Sequence, residues 1–249
     1  MNHCKNCGHP VKDLYCGHCG QKAILGRITF AYIWGELFHF FTHIEHGFIF
    51  TSVKLLTTPG KTVATFIEGK RKSYQSPISY FLVWTTIFIV FLYWMEKTFG
   101  ENTVIDYKNY WGPSGTTNLA ISHLSIVLTI LIPFQALYLY LLFTRIKYNY
   151  FETLVAAIYL VGTVIQLQFM FALVALIMYG LNHSSTDLRI SDILKFGFFI
   201  WFCIDFIKLF AVRSKFVRVL GFVLLAGATF TLWRIFGVPV LVNLLFEHN

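Results

Sequence analysis

The sequence predicts an all-α membrane protein: five transmembrane helices, an N-terminal zinc knuckle and one amphipathic interfacial helix, with the N-terminus cytoplasmic. Three observations lead there. Beyond Pro77 the chain is a succession of apolar runs long enough for the roughly 30 Å of hydrocarbon in a bilayer. Four of the five cysteines fall in a C-x2-C-x8-C-x2-C pattern near the start. Lys61, Lys70, Arg71 and Lys72 cluster just ahead of the first long apolar run, which by the positive-inside rule assigns that side to the cytoplasm. Composition agrees, since 56% hydrophobic and 13% charged residues lie far from the balance of a soluble domain. The net charge of +8 is divided among short clusters beside apolar runs, so it reads as membrane topology and anionic headgroups rather than a nucleic-acid surface.

The chain divides into a head (1–22), an amphipathic helix and basic hinge (23–76) and a membrane domain (77–249). In the head, Cys4-Lys5-Asn6-Cys7-Gly8 and Cys16-Gly17-His18-Cys19-Gly20 each let one turn present two sulfurs to a single ion. The glycine after each pair permits the positive φ such a turn needs. Two turns make a closed four-cysteine metal site, the structural type with no open position for catalysis. Zinc is expected, with iron the main rival for four thiolates. A reducing cytoplasm favours metal over disulfides. His3, His9 and His18 could compete as ligands but read as solvated neighbours. The stretch Met1 to Lys22 is polar and Cys-rich, so insertion is expected to rely on the spans rather than on a cleaved leader.

Residues 29–50 are apolar yet amphipathic. Phe30, Ile33, Trp34, Leu37, Phe41, Ile44 and Phe48 share one helical face, and Glu36, His39, His43 and His46 lie opposite. This suits a helix in the interface, or one packed on the spans. The four polar residues form a stripe that could hold a second metal, because Glu-x-x-His recurs in helical metal sites. A lone helix rarely completes a ligand set, so polar residues at a headgroup boundary explain the stripe more simply. In the hinge, Thr58 as N-cap and Pro59 at the first helical position start a short helix that Gly69 ends. The basic run after it could clasp phosphate, although membrane-side charge is the commoner use.

The five spans are expected at 77–95, 121–143 (kinked at Pro133), 152–179, 193–212 and 216–236, with a short tail at 237–249 along the far surface. Asn149 and Glu152 are spaced as a capping pair for the third. Of the 20 Lys and Arg residues, only Lys97, Lys108, Arg189, Lys195 and Arg234 then fall opposite the head, which places the C-terminus outside.

Ionisable groups inside spans are functional candidates by default. Here Asp205 and Lys208 read as an i, i+3 ion pair, Glu152 as a helix cap and Arg234 as a snorkelling residue. Gln135, Gln166 and Gln168 offer interhelical hydrogen bonds. Cys203 reads as a small buried apolar residue. No acidic relay, Ser/His/Asp set, phosphate-binding glycine loop or internal repeat stands out.

The motifs Cys4-x2-Cys7-Gly8, Tyr15-Cys16-x2-Cys19-Gly20-Gln21, Thr51-x3-Leu55-x3-Pro59-Gly60, Gly69-Lys70-Arg71-Lys72-x4-Pro77 and Tyr150-Phe151-Glu152 resemble a family of bacterial membrane proteins of unknown function with an N-terminal zinc knuckle. The resemblance implies an inner-membrane location and a bound zinc, and it supplies no activity. The five-span layout is similar to that of Yip-type membrane proteins at the level of the fold alone.

The expected function is therefore an integral inner-membrane protein, more a non-enzyme than an enzyme, that contacts membrane lipids. Its knuckle would serve a structural role or dock a protein partner. The alternative is a membrane-embedded metal-dependent enzyme or lipid-handling protein using Glu36, His39, His43 and His46. Nucleic-acid binding by the head is disfavoured: Lys5, Lys12 and Lys22 are its only strong cations, and it has few aromatics to stack bases.

Overall fold

Two long parallel helices organise the molecule. The computed structural model describes residues 2–39, 47–100, 103–106, 124–145, 147–187, 189–210 and 214–246. In chain order its helices are α1 (Phe30–His39), α2 (Phe48–Thr57), α3 (Pro59–Ile67), α4 (Pro77–Phe99), α5 (Leu124–Thr129), α6 (Ile132–Leu139), α7 (Tyr150–Asn182), α8 (Ile190–Ile207), α9 (Lys215–Leu232) and α10 (Val238–Phe246). Strands β1 (Asn2–His3) and β2 (Pro10–Val11) pair antiparallel in the head. Strands β3 (Ile105–Asp106) and β4 (Thr186–Asp187) pair in parallel beyond the far ends of α4 and α7.

Helix α4 opens at Pro77, where the missing N–H would lack an intrahelical partner anyway. It closes at Gly100, whose φ of +92 a side chain would resist. Helix α7 opens with the expected capping box. Asn149 Oδ1 accepts from the Glu152 N–H at 2.8 Å, and Glu152 Oε2 accepts from the Asn149 N–H at 2.9 Å. The two helices run side by side in the same direction. Tyr80 meets Thr163 and Gln166, Trp84 meets Phe169, and Phe99 meets Tyr179. Close approach needs small residues: a Cβ on Gly162 would sit 2.8 Å from the Tyr80 ring, and Ala156 and Ala157 are fully buried. The Tyr80 hydroxyl donates to Gln166 Oε1 at 2.6 Å, the one expected glutamine bond that forms among the described residues; Gln135 Oε1 and Gln168 Oε1 are buried without partners there.

The remaining helices alternate in direction. Helix α6 returns to the head side, extended by a π turn at Tyr140–Thr144. Thr144 then meets Thr153 on α7 across the connection. Helix α9 runs antiparallel to α6, with Arg218 donating to the Leu142 carbonyl, Phe143 against Phe222 and Tyr138 bonded to Thr229. Helix α8 descends beside α9, Phe199 against Phe222, until Asp205 and Phe206 reach α3. Half of the most apolar window of α7 is buried, against 11% for α9 with its continuation, so α7 is central and α9 peripheral.

Among the described residues, three segments are long and apolar enough to cross a membrane: Pro77–Phe99, Tyr150–Asn182 and Lys215–Leu241. The other two expected spans look different. The second is divided into α5 and α6 by a turn at Ile130 and Leu131, because Pro133 cannot supply the N–H that would bond the Thr129 carbonyl; residues 121–123 lie outside the described ones. The fourth is the 18-residue α8, strongly apolar apart from three charged residues, Asp192, Lys195 and Asp205; residues 211–213 lie outside. The first span runs on to Phe99. Within the expected tail, Val238–Phe246 form α10, joined to α9 through a π turn at Trp233–Gly237.

The amphipathic helix also differs from expectation. It cannot run unbroken to residue 50, because Gly47 has φ +139, outside any helical region. Phe48 and Phe50 consequently belong to α2. Residues 40–46 lie outside the described residues.

Candidate metal centre and the seam beneath it

The head is two copies of one turn. In each, a cysteine N–H donates to the carbonyl five residues on (Cys4 to His9, Cys16 to Gln21, both 2.8 Å), and its own carbonyl accepts from the following glycine, Gly8 or Gly20. Both glycines take positive φ, +78 and +72, as the spacing predicts. The turns bring Cys4 Sγ to 3.6 Å from Cys19 Sγ and Cys7 Sγ to 3.5 Å from Cys16 Sγ, with all four sulfurs within 4.8 Å of one another. Tetrahedral ligands at about 2.3 Å from one ion would stand about 3.8 Å apart, so the set fits a metal ion.

The electrostatics agree with a cation. The Cys19 and His18 N–H groups draw the Cys16 thiol down to about 6. Cys7 is lowered by the His9 N–H, yet burial and the facing sulfurs outweigh this and push it up to about 12. Four close sulfurs cannot all ionise unaided, and a divalent ion removes that conflict. His9 and His18, both exposed, stack on each other at 4.0 Å and lie close to Cys7, which makes a smaller alternative ligand set. His3 is exposed and bonds the Gly8 carbonyl.

The head does not hang free. Gln21, 5% exposed, donates through Nε2 to the Gly69 carbonyl at 2.9 Å and accepts through Oε1 from the Arg71 and Lys72 N–H groups, both at 3.1 Å. Asn6 Oδ1 accepts from both the N–H and the hydroxyl of Ser73. Gly69 takes φ +121, and a Cβ there would strike the Lys5 stem at 2.7 Å. The basic hinge is thus read backbone to side chain by the metal module.

Below the head, the linker is stitched to the start of α7. Arg27 forks onto Glu152, with Nε to Oε1 at 3.0 Å and Nη2 to Oε2 at 2.6 Å. Asn149 Nδ2 donates to the Ile28 carbonyl, and Arg71 Nη2 donates to that of Gly26. Lys147 pairs with Glu68 at 2.6 Å, and Tyr148 also donates to Glu68. On the neighbouring side, Gly60 lets α3 touch α8: a Cβ there would strike the backbone at Phe206. Asp205 Oδ2 accepts from the Lys61 N–H at 3.2 Å, and so caps α3 where Thr58 makes no cap bond.

A family model described as protein of unknown function (DUF3667) matches residues 45–89. No curated protein and no solved structure matches the chain. The matched segment runs from just before α2 through α3 and the gripped loop into α4, and it begins after all four cysteines of the head.

Of the second expected ligand stripe, only the side chain of Glu36 lies among the described residues. Glu36 is half-buried on α1 and joins no cluster of three or more metal-binding side chains there. His43 and His46 lie outside the described residues, as does the side chain of His39. Asp205 and Lys208 stand 4.0 Å apart, so the helix cap is the closer contact of the carboxylate. Cys203 is 1% exposed, as expected of a buried apolar residue. The partners of Gln21, Asn6 and Arg27 carry no local signal, since they lie 48 to 125 residues away in sequence.

Proposed function

We propose that the chain is an integral inner-membrane protein of bacterial type that crosses five times, N-terminus cytoplasmic and C-terminus outside. Its head holds one zinc ion in a structural role, and the zinc-held head clamps the hinge to the membrane domain. The observation that carries this reading is the grip of Gln21 and Asn6 on Gly69–Ser73, beside a closed set of four sulfurs. So short a module has little core of its own, and metal binding supplies its folding free energy. The division at 22 and 76 follows that grip, with the linker and hinge lying between two bodies that they tie together.

Alternating helix direction supports five crossings. At about 1.5 Å per residue, α8 and the divided 124–144 segment each approach the thickness of the hydrocarbon. The Asp192–Lys195 pair at 2.6 Å lowers the cost of burying those charges in α8. Basic residues gathered on the head side support the orientation. Leu14, Tyr15 and Ile24 stay well exposed on and beside the head, apolar surface that suits a protein partner docked there.

Elemental analysis of the full chain in detergent tests the metal. One zinc per chain that Cys16→Ser removes is the expected result. A second equivalent that survives Cys16→Ser, and that His39→Ala and His43→Ala abolish, would instead place a metal on the Glu36, His39, His43 and His46 stripe.

A further inference from the structure

The seam between head and membrane domain leaves an open polar cleft of about 270 Å³. This is far more than the ~30 Å³ share of one water molecule. Four cations and two anions line it: Lys5, Arg27, Arg71 and Lys147 against Glu68 and Glu152. The anions are already matched. Arg27 forks onto Glu152, and Lys147 pairs with Glu68. That leaves the charges of Lys5 and Arg71 without a carboxylate in the cavity wall.

Arg71 is held ready. Its Nη2 donates to the Gly26 carbonyl, its guanidinium lies 4.8 Å over the Tyr32 ring, and its Nε–H is buried with no partner among the described residues. A buried donor left unmade is costly, so such a group marks a place where an acceptor is missing. Lys5, between two of the cysteines, brings its charge from the head to the same cavity. Lys5 and Arg71 both line this space, and a planar guanidinium beside a lysine ammonium suits a tetrahedral dianion.

We propose that this cavity binds a phosphate group, carried either by a lipid headgroup or by a small soluble phosphate ester. Arg71 supplies directed hydrogen bonds and Lys5 supplies charge from the head. The ligand would then join the metal module to the hinge, so that its binding and the seating of the head favour each other. This rests on the head being seated as described, and not on which metal it holds.

The test uses the full chain in phosphatidylcholine nanodiscs, on samples shown by elemental analysis to carry their metal. Thermal stabilisation is followed on titrating inorganic phosphate and glycerol 3-phosphate, and separately on doping the discs with phosphatidic acid. Saturable stabilisation is expected in at least one arm. Lys5→Gln and Arg71→Gln should each weaken the apparent affinity about tenfold or more, the worth of one charge-assisted hydrogen bond. Lys12→Gln, a head lysine outside the cavity, should leave it unchanged. Lys5 is exposed and its side chain makes no hydrogen bond among the described residues, so its variant reports binding without unfolding the seam. Response to soluble probes assigns a soluble ester, and response to phosphatidic acid alone assigns a headgroup. No saturable response in any arm, or equal weakening by Lys12→Gln, would overturn the proposal.

Discussion

Gln21 does at the level of one residue what the head does for the molecule. Its amide satisfies one carbonyl and two N–H groups of the hinge while itself almost fully buried. Gln21→Ala should leave the metal in place, because it removes no sulfur, yet should destabilise the chain by about 1–3 kcal/mol by leaving buried backbone groups unpaired. Thermal unfolding alongside metal content checks both halves of that statement. Arg27→Ala should lower the melting temperature by stranding the Glu152 carboxylate, and adding Glu152→Gln should recover part of the loss. At this scale the sequence is legible where chemistry is local. The cysteine spacing, the two glycines, the Asn149–Glu152 cap and buried Cys203 could all be read from neighbours in the chain. Gln21, Asn6 and Arg27 could not, because a glutamine after a knuckle looks solvated until the loop it meets is known.

Helix boundaries follow the same logic with one more layer. Pro59 and Gly69 bound α3, and Pro77 opens α4, as short-range rules require. The Thr58 cap expected from sequence is replaced by Asp205, which arrives from α8 and accepts the Lys61 N–H. Asp205→Ala should therefore cost about 1 kcal/mol, while Thr58→Val should be close to neutral; urea or thermal denaturation of the two variants separates them. Gly60→Ala is expected to cost about 1–3 kcal/mol or more, because the new methyl meets helix backbone rather than a side chain that can swing away. The amphipathic helix stops before the end that its periodicity predicts for a related reason. Apolar periodicity continues through Gly47, and only the backbone torsion there shows that one helix has ended and another begins. The divided second span has a comparable cause in Pro133, legible as a kink but not as a turn.

For the whole molecule, three membrane-length helices are legible from hydropathy, and the charge bias suggests a threading. What it could not foresee is that hinge, linker and head form a single hydrogen-bonded seam on the α4–α7 pair. Fusing a reporter to the C-terminus checks the proposed threading: alkaline phosphatase should be active there and green fluorescent protein dark, and the reverse pattern would place both termini on one side. The central claim is that the metal holds the head on the hinge. Hydrogen exchange of the full chain in nanodiscs, metal-loaded and chelated, measures this directly at the Arg71, Lys72 and Ser73 amides. Protection with metal that is lost on chelation is the expected result. Protection at those three amides that is unchanged when the metal is gone would contradict it.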